Sequence, residues 1–475
     1  MVDEVKIIEQ CQVSPPQGSL PSSINLPLTH LDLFWFYCPL VKRIFYYNFP
    51  HSTQHFLQTS LPILKKSLSL TLQHFFPFCS KSILPPKPQT PHILYTQGDS
   101  LSLTICESNS NFNNLISNSP KDLTLAYPFV PLTSPPTTLQ DGTLLFPTMA
   151  IQITIFPNFG FTLCFSFRHE IVDGKSFHHF IKFWSSLSKG NLEISSLPLP
   201  FHKREIIQDP KGLKQNHLEK LWNSPPKTIE STISTHDHVS SRNNLVRYRF
   251  NLTRHHVDNL KKWVVTKSQN IGLEMLHLST FVVTCSLLWV SMVKLKSQDK
   301  KNIIVDCVAD EVTNNSTLEN DLEDNYGFKC LMDMRNRFEL SIPSTYFGNC
   351  LMPLEAKLPK WKLLEENGIC EAANVIAREI SLANPSKEAK KFDVKSQNIT
   401  RAIGSPKFGV YETNFGWGNP ILSEILHVND SSELLLSDSK DGDGGIEVSM
   451  VLEEAQVKKF SDILEVELRD IVVFE

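Results

Sequence analysis

The stretch FRHEIVDGKSFHHF, residues 167–180, places a histidine four residues before an aspartate, and a glycine follows the aspartate directly. Histidine is the side chain best suited to accept a proton near neutral pH, because its unperturbed pKa is about 6.5. His169 is therefore a candidate general base. The same spacing also arises by chance in a chain with 16 histidines, and a histidine at a strand end often has only a structural hydrogen-bonding role.

A protein nucleophile does not accompany this histidine in the sequence. The chain has no G-x-S-x-G elbow and no cysteine within a recognisable nucleophile signature. If His169 is a base, it activates a substrate hydroxyl or a water molecule directly. This favours a one-step transfer over a covalent intermediate.

A second unusual stretch is YETNFGWGNP, residues 411–420. Gly416 and Gly418 let the backbone turn tightly on both sides of Trp417. Two aromatic side chains, Phe415 and Trp417, resist such a loop unless they are packed. The pattern, which begins at Asn414, is typical of a wedge that pins a loop.

The elements around the histidine can be predicted from periodicity. Apolar residues alternate from Met149 to Phe156 and again from Phe161 to Phe167, with the turn PNFG between them, which predicts a hairpin with one apolar face. After Gly174, apolar residues return to helical spacing. His169 is thus expected at a strand exit, with Asp173 in the turn that leads into a helix.

The chain of 475 residues is long enough for two domains. Residues 190–244 are polar and interrupted by prolines, which is typical of a linker or a long functional loop. We predict an N-terminal domain over 1–200, a crossover over 201–244 and a C-terminal domain over 245–475. The second half mixes alternating strands with helices, including a buried-type strand at IIVDCV, residues 303–308. The predicted class is α/β or α+β.

Composition excludes several functions. The net charge of -4 and the absence of a Lys/Arg cluster argue against nucleic acid as a partner. Ten scattered cysteines, with no C-x-x-C pair, indicate a reducing compartment and no metal site. The turn DSKDGDGG lacks the spacing of a calcium loop.

Location and assembly follow from similar observations. The charged N-terminus does not resemble a signal peptide, and the apolar run Phe281–Val293 is too short to span a bilayer. We expect a cytoplasmic protein without a membrane partner. The lack of a heptad seam makes a monomer the expected state.

Together, the two unusual stretches resemble the plant BAHD acyltransferases, which carry HxxxDG near mid-chain and DFGWG toward the C-terminus. The stretches INLPLTHLDLFWF, SLSLTLQHFFPF, YPFVP, LSTFVVTCSLLWV, STYFGNC and GGIEVSMVL extend the resemblance over most of the chain, toward the branch that acylates anthocyanins and other flavonoid or phenolic glucosides. The resemblance implies an α/β fold of two similar-sized mixed-sheet domains of the chloramphenicol acetyltransferase-like type, with the active-site channel between them. It also implies acyl-CoA as co-substrate, with no bound cofactor.

The resemblance assigns roles to the motif residues. His169 takes a proton from a sugar hydroxyl, whose oxygen attacks the thioester carbonyl of acyl-CoA, and coenzyme A leaves. Asp173 turns away from the histidine and orients the loop, while Gly174 allows the turn. Trp417 either donates its indole N–H to the developing oxyanion or only shapes the channel.

Two departures from the family pattern concern charge. The aspartate of DFGWG is Asn414 here, so an ion pair with an arginine, either Arg335 or Arg337, cannot form, although an amide can still accept a hydrogen bond. Malonyl-transferring relatives place an arginine soon after HxxxDG, where this chain has Phe177. An aromatic wall favours a hydroxycinnamoyl donor, whereas Lys175 leaves a malonyl donor open.

The site of the coenzyme A phosphates is predicted with two alternatives. The helix start at Ser279 and Thr280 offers free N–H groups to an anion, and the same residues serve equally well as a plain helix cap.

Two other functions remain open at this stage. A non-catalytic acyl-CoA or flavonoid binding protein is favoured by Asn414 and by Glu170 beside the histidine. A condensation-type domain of a peptide synthetase shares the histidine motif, but no carrier domain is apparent in this chain.

Overall fold

The computed structural model describes residues 5–190, 196–223, 244–273, 277–307, 324–337, 341–383, 394–427 and 431–472. Within these residues the chain forms three β-sheets with helices packed against them. Parallel and antiparallel strand pairs occur together in the two larger sheets, so the predicted α/β class with mixed sheets is confirmed.

The first sheet has six strands and carries the histidine motif. In spatial order its strands are β1 (Val5–Val13), β6 (Leu101–Ser108), β10 (Met149–Phe156), β11 (Gly160–Phe167), β3 (Val41–Asn48) and β16 (Leu422–Ile425). The predicted hairpin is confirmed, because β10 and β11 pair antiparallel from Met149–Phe167 to Phe156–Gly160. Both strands are buried along their whole length.

The second sheet has seven strands. In spatial order they are β14 (Leu351–Pro359), β13 (Asn325–Asp333), β15 (Ile399–Ser405), β17 (Glu433–Asp438), β18 (Ile446–Glu453), β12 (Leu245–Leu252) and β7 (Lys121–Asp122). A smaller third sheet consists of β2 (Ser23–Pro27), β5 (His92–Thr96), β4 (Lys81–Leu84), β9 (Leu144–Pro147) and β8 (Thr137–Thr138).

The helices cover the sheets on both halves of the chain. Those of the first half are α1 (His30–Leu33), α2 (Thr53–His55), α3 (Leu61–Leu72), α4 (Phe112–Ile116), α5 (Gly174–Ser188) and α6 (Leu213–Asn223). Those of the second half are α7 (Arg254–Asn270), α8 (Thr280–Cys307), α9 (Lys360–Leu364), α10 (Gly368–Leu382) and α11 (Glu454–Val472).

Two large hydrophobic cores lie in the two halves of the chain. The first is built mainly from residues 13–222 and includes Phe347, Val410, Tyr411 and Phe415 from the second half. The other is built from residues 252–471. Strands are exchanged as well, because β16 pairs with β3 and β7 pairs with β12. The domain boundaries stay a prediction, and each large sheet contains one strand from the opposite half.

Part of the predicted crossover is more ordered than its composition indicates. Residues 213–223 form α6, whose Leu218 and Leu221 enter the first core. Arg204, which precedes this helix, is almost fully buried. Residues 224–243 lie outside the described part of the chain.

The apolar helix of the second half is longer than predicted. Helix α8 continues through residues 303–307, so the strand predicted there is wrong. A short apolar run cannot be assigned to strand or helix by periodicity alone. The segment Thr280–Gln298 is long and apolar enough to cross a membrane, but 72% of its 18-residue window is buried inside the protein. Its side chains, from Val282 to Leu295, form the centre of the second core.

Candidate active site

Strand β11 and helix α5 hold the histidine motif between them. The strand ends at Phe167, the helix begins at Gly174, and residues 168–173 form the connecting loop. Asp173 is the N-cap of α5, because its Oδ1 accepts a hydrogen bond from the backbone N–H of Ser176 at 2.9 Å. Such a cap satisfies one of the amides that a helix leaves free at its first turn.

The other oxygen of Asp173 is held by residues from the second half of the chain. The Arg335 guanidinium lies 2.8 Å from Oδ2, with both side chains almost fully buried. The backbone N–H of Cys350 donates to the same oxygen at 3.1 Å. Among the described residues the Asp173 carboxylate accepts no hydrogen bond from the His169 ring, so the geometry is that of an orienting residue.

A second buried ion pair lies under the same loop. Arg204 contacts Asp32 Oδ2 at 2.7 Å, with both side chains almost fully buried, and donates to the backbone oxygen of Ile171 at 3.1 Å. Asn349 donates from Nδ2 to Asp32 Oδ1 at 3.0 Å and to the backbone oxygen of His169 at 2.8 Å. The Asp173–Arg335 ion pair therefore holds the end of the loop at α5, and the Asp32–Arg204 pair holds its backbone at Ile171 and, through Asn349, at His169.

The His169 ring stacks on the indole of Trp35. The ring centroids are 3.9 Å apart and the planes differ by 14°. The residue is only partly buried, but its Nδ1 is shielded from solvent and has no hydrogen-bond partner among the described residues. Burial lowers the pKa of His169, and its own carbonyl group, Asp173, Asn349 and Asp32 act in the opposite direction. Near neutral pH the ring is therefore uncharged and able to accept a proton.

Glu170, the acidic neighbour of the histidine, faces away from the site. It is buried and forms an ion pair with Arg168, and it accepts a hydrogen bond from Ser82 at 3.0 Å. Arg168 also donates to the backbone oxygen of Phe36 at 3.0 Å. The sequence feature that favoured a non-catalytic protein at Glu170 is thus explained by a structural ion pair.

His427 and His169 lie at the same end of the strands of the first sheet, near the start of β3. Phe167 pairs with Val41, and β16 continues from its own pairing with β3 to His427, whose Nδ1 accepts the backbone N–H of Lys42 at 3.2 Å. Burial, with a smaller contribution from His169, lowers the pKa of His427 to about 3. The ring is therefore neutral and carries its proton on Nε2.

Five residues of this site are missing from the sequence-based predictions: Asp32, Trp35, Arg204, Asn349 and His427. Asp32 and Trp35 lie within LPLTHLDLFWF and Asn349 lies within YFGNC, two stretches that carry the family resemblance. That likeness was the available signal for these three residues. Arg204 and His427 have no local sequence signal.

Phe177 is a core residue rather than a wall of the substrate site. It is 2% exposed and stacks on Phe167, with ring centroids 4.4 Å apart. Phe165 and Phe78 contact it edge to face. The donor preference inferred from Phe177 was therefore wrong in its physical basis, because helix packing turns this side chain inward.

Gly174 is required for close packing. It is the first residue of α5, and a Cβ atom at this position would lie 2.9 Å from the Phe408 ring. Lys175, the next residue, is partly exposed and binds Asp333 at 3.0 Å. It lines a cavity of about 370 Å³ beside α5, but its charge already has a carboxylate partner.

Trp417 lies at the opposite end of β11 from His169. Its ring packs against Phe161, at 5.7 Å between centroids, and against Phe49, at 6.1 Å. Phe161 and Phe167 are six residues apart on one strand, a separation of about 20 Å. The predicted hydrogen bond from Trp417 to the oxyanion was therefore wrong, because His169 follows the far end of that strand.

The NFGWG loop is pinned by its own amides and by aromatic packing. Asn414 Oδ1 accepts the N–H of Gly416 at 2.8 Å and that of Gly418 at 3.3 Å. Both glycines have positive φ angles, 115° and 101°, which residues other than glycine rarely adopt. Phe415 is 1% exposed and contacts Trp184 of α5 edge to face at 4.9 Å.

The arginines considered as partners of position 414 have other partners. Arg335 binds Asp173 and Asp333, each at 2.8 Å. Arg337 donates to the backbone oxygen of Ile380 at 2.7 Å. These are the two arginines considered for the ion pair that Asn414 cannot form, and both follow β13 of the second sheet, where they have these partners instead.

Ser279 caps the start of helix α8. Ser279 Oγ accepts the N–H of Val282 at 3.2 Å, and Thr280 Oγ1 accepts a hydrogen bond from Lys261 at 2.8 Å. The Ser279 bond favours the plain-cap alternative for that residue. Among the described residues no cluster of His, Cys, Asp and Glu has the arrangement of a metal site.

Comparison with known proteins gives relatives along the whole chain. The model of the Transferase family matches residues 4–466. Coumaroyl-CoA:anthocyanidin 3-O-glucoside-6''-O-coumaroyltransferase 1 of Arabidopsis thaliana is 37% identical over 478 residues, which cover 97% of each chain. Malonyl-coenzyme A:anthocyanin 3-O-glucoside-6''-O-malonyltransferase of Dahlia pinnata is 30% identical over 486 residues, again 97% of each chain.

Solved structures agree with the fold. Vinorine synthase superposes with a TM-score of 0.65 at 15% identity, covering 98% of each chain. TRI101 of F. graminearum, in complex with coenzyme A and T-2 mycotoxin, superposes with a TM-score of 0.64 at 12% identity, covering 92% of this chain and 96% of that one. At this level of identity the likeness establishes the architecture alone, and it confirms the predicted two-domain class.

Proposed function

The chain belongs to the BAHD acyltransferases, members of the Transferase family, and from this premise we propose that it transfers a hydroxycinnamoyl group from coenzyme A to a sugar hydroxyl of an anthocyanin glucoside. The observation that carries the proposal is the neutral imidazole of His169, a partly exposed residue in the loop that follows β11, together with the two buried ion pairs that hold this loop. A loop held in this way fixes the backbone position of the base.

The proton transfers follow from the geometry of the ring. Nδ1 is shielded from solvent, so Nε2 accepts the proton of the sugar hydroxyl. The oxygen then attacks the thioester carbonyl carbon, a C–O bond forms, and the C–S bond breaks as the intermediate collapses. The imidazolium returns its proton to the departing thiolate, which leaves as free coenzyme A. General base help of this kind contributes roughly 100- to 10,000-fold in rate.

An aromatic donor is favoured by two observations. The coumaroyltransferase is 37% identical to this chain and the malonyltransferase is 30% identical. Phe34, 50% exposed, contacts the edge of Trp35, which itself stacks on His169, so aromatic surface lies beside the base.

A malonyl donor would bring a free carboxylate to the same place. Arg168, Arg204 and Arg335, which surround the loop, already have carboxylate partners. Lys175 is bound to Asp333. A malonyl carboxylate that bound any of these four side chains would have to displace an existing ion pair, and this makes malonyl-CoA the second candidate. We further propose that the protein acts in the cytoplasm as a monomer.

The test is a donor panel with one acceptor. The purified protein is incubated with p-coumaroyl-CoA or malonyl-CoA and an anthocyanidin 3-O-glucoside. The acylated product is followed directly by chromatography and mass spectrometry. We expect turnover with p-coumaroyl-CoA to exceed turnover with malonyl-CoA.

The matched variants are His169→Ala and His92→Ala. His92 lies on β5 of the third sheet and takes no part in the site. His169→Ala should reduce kcat roughly 100- to 10,000-fold with unchanged thermal unfolding, while His92→Ala should keep wild-type activity. Equal rates in both variants, or no product from either donor with the wild-type protein, would refute the proposal.

A further inference from the structure

Orientation of the His169 ring presents a problem that the motif itself does not solve. Catalytic histidines are commonly held by a carboxylate on the ring nitrogen that does not react. Here both oxygens of Asp173 are engaged by Ser176, Cys350 and Arg335. The non-reacting Nδ1 has no hydrogen-bond partner among the described residues.

The ring does make a close stacking contact with Trp35. The two planes are nearly parallel, at 14°, and the centroids lie 3.9 Å apart. Trp35 is itself held by Phe34, whose ring meets it edge to face at 4.9 Å. Asp32, three residues earlier, anchors the same segment through Arg204 and Asn349. The indole is therefore placed by the network that also holds the backbone of His169.

The indole face also carries partial negative charge. A cation over the face of a tryptophan is attracted to it, and the attraction is strongest where water is excluded. The neutral imidazole gains less from this contact than the imidazolium that forms when the sugar hydroxyl loses its proton. The contact therefore strengthens as the reaction proceeds, which is the requirement for a catalytic contribution.

We infer that Trp35 is a positioning residue for His169, and that its indole face both orients the imidazole and stabilises its protonated form during turnover. The inference rests on the proposed acyl transfer for its kinetic consequence. Its effect on the protonation of His169 is independent of substrate. Trp35 thus takes over the part that a carboxylate plays in a catalytic dyad, while Asp173 serves the loop.

Other charged or titratable groups also act on His169. They are Asp173 at the start of α5, Asp32 in α1 and His427 after β16. Asp173 and Asp32 have arginine partners. A test of Trp35 must leave all of these groups in place. Truncation of the indole is insufficient by itself, because it would admit water to the His169 ring and so change how strongly these groups act on it.

Fluorinated tryptophans meet this requirement. Site-specific incorporation of mono-, di- and tetrafluorotryptophan at position 35 withdraws electron density from the ring face and preserves its shape. We expect kcat to fall stepwise with fluorine number, by roughly 2- to 30-fold over the series, with KM unchanged. The same series at Trp361, which is 41% exposed on α9, is the control and should leave kcat unchanged.

Protonation provides the second readout, without substrate. In protein labelled with 13C at histidine Cε1, the His169 signal is assigned by its loss in His169→Ala and titrated by NMR. The pKa of His169 should fall along the fluorine series, because the protonated form loses a favourable contact. A falling pKa in a protein that acylates nothing would leave the inference standing and refute the proposed function.

Orientation is tested by Trp35→Leu. This variant removes both the charge effect and the stacking surface, so its kcat should lie below that of the tetrafluorotryptophan protein, with thermal unfolding checked in parallel. If kcat and the pKa of His169 are both flat across the fluorine series, or if Trp35→Leu keeps wild-type kcat, the inference is overturned.

Discussion

The two ends of strand β11 differ in what holds them. At the C-terminal end, where His169 lies, the loop is held by the buried ion pairs Asp32–Arg204 and Asp173–Arg335. At the N-terminal end, Phe161 lies in an aromatic cluster with Trp417. Helix α5 joins the two, because Asp173 caps its start and Trp184 packs on Phe415. One end holds a reacting group by directional bonds, and the other pins a loop by shape.

The difference separates chemistry from stability. Directional bonds to buried charges fix atoms within a fraction of an ångström. The charged side chains must lose their water to be buried, and this desolvation costs free energy. Aromatic packing is favourable by area and tolerates small shifts. A change at the polar end should therefore alter both turnover and stability, whereas a change at the aromatic end should alter stability alone.

Breaking the polar end should have the largest effect. Arg335→Met leaves Asp173 buried without its cation, which should cost about 3–5 kcal/mol in the free energy of unfolding and reduce kcat. Asp173→Asn is the second variant, since it keeps the acceptor for Ser176 and removes the charge. Urea unfolding and steady-state kinetics measure both quantities.

The matched control is Lys182, on the helix α5 that Asp173 caps. Lys182→Met breaks an exposed ion pair with Glu412, whose side chain is 72% exposed, and should cost less than about 1 kcal/mol. If Arg335→Met is no more destabilising than Lys182→Met, the buried pair does not hold the loop.

Removing Trp417 should affect stability without affecting turnover. Trp417→Ala removes contacts with Phe161, Phe49 and Phe56 and should lower the free energy of unfolding by about 3 kcal/mol. The kcat of the folded fraction should stay at the wild-type value, because His169 lies about 20 Å along the strand.

Trp361→Ala serves as the comparison for Trp417, because Trp361 is 41% exposed and its removal should change unfolding by less than about 0.5 kcal/mol. A large fall in kcat for Trp417→Ala, with the free energy of unfolding unchanged, would show that Trp417 contributes to the reaction.

The first turns of α5 add a pH-sensitive group near the polar end. His178 is 4% exposed and stacks on Phe408, and burial, with the charge of Arg43, lowers its pKa from 6.5 to about 3. The unfolded chain therefore takes up a proton below pH 6.5 that the folded chain excludes until about pH 3. Stability is full at neutral pH and falls as the pH falls, by about 1.4 kcal/mol per pH unit for this residue.

The variant His178→Phe keeps an aromatic ring against Phe408 and removes the titration. We expect its free energy of unfolding to depend less steeply on pH between 6.5 and 4 than that of the wild-type protein, as measured by urea denaturation. Identical slopes for His178→Phe and the wild-type protein would show that His178 does not contribute.

Restoring the family aspartate should have the smallest effect. In Asn414→Asp the carboxylate can accept the same two N–H groups of Gly416 and Gly418, with slightly stronger charge-assisted bonds. The free energy of unfolding should change by less than about 0.5 kcal/mol, and kcat should not change. Asn414→Ala, which loses both bonds, should cost about 1–2 kcal/mol. A gain of more than tenfold in kcat for Asn414→Asp would show that the missing charge limits the enzyme.

Local patterns explain which structural predictions were confirmed. The period-two runs of β10 and β11 and the helical spacing of α5 are encoded within about ten residues, so the hairpin and the helix after it could be predicted. The length of α8 could not, because the apolar run at 303–307 is equally compatible with a strand.

Local patterns could not predict which side chains contact each other across the chain. Asp173 is held by Cys350, 177 residues away, and by Arg335. The type of residue at 335 was visible in the sequence, but its partner was assigned to position 414, since charge alone does not specify distance.

The sequence by itself determined the β10–β11 hairpin, helix α5, the family resemblance and the candidate base, because periodicity and motif spacing are local properties of the chain. Only the tertiary structure decided that Trp417 lies at the far end of β11, that Phe177 faces the core, and that Trp35 stacks on His169. The physical reason is that strand register and helix packing set which side chains meet, and both arise from contacts between segments far apart in the chain.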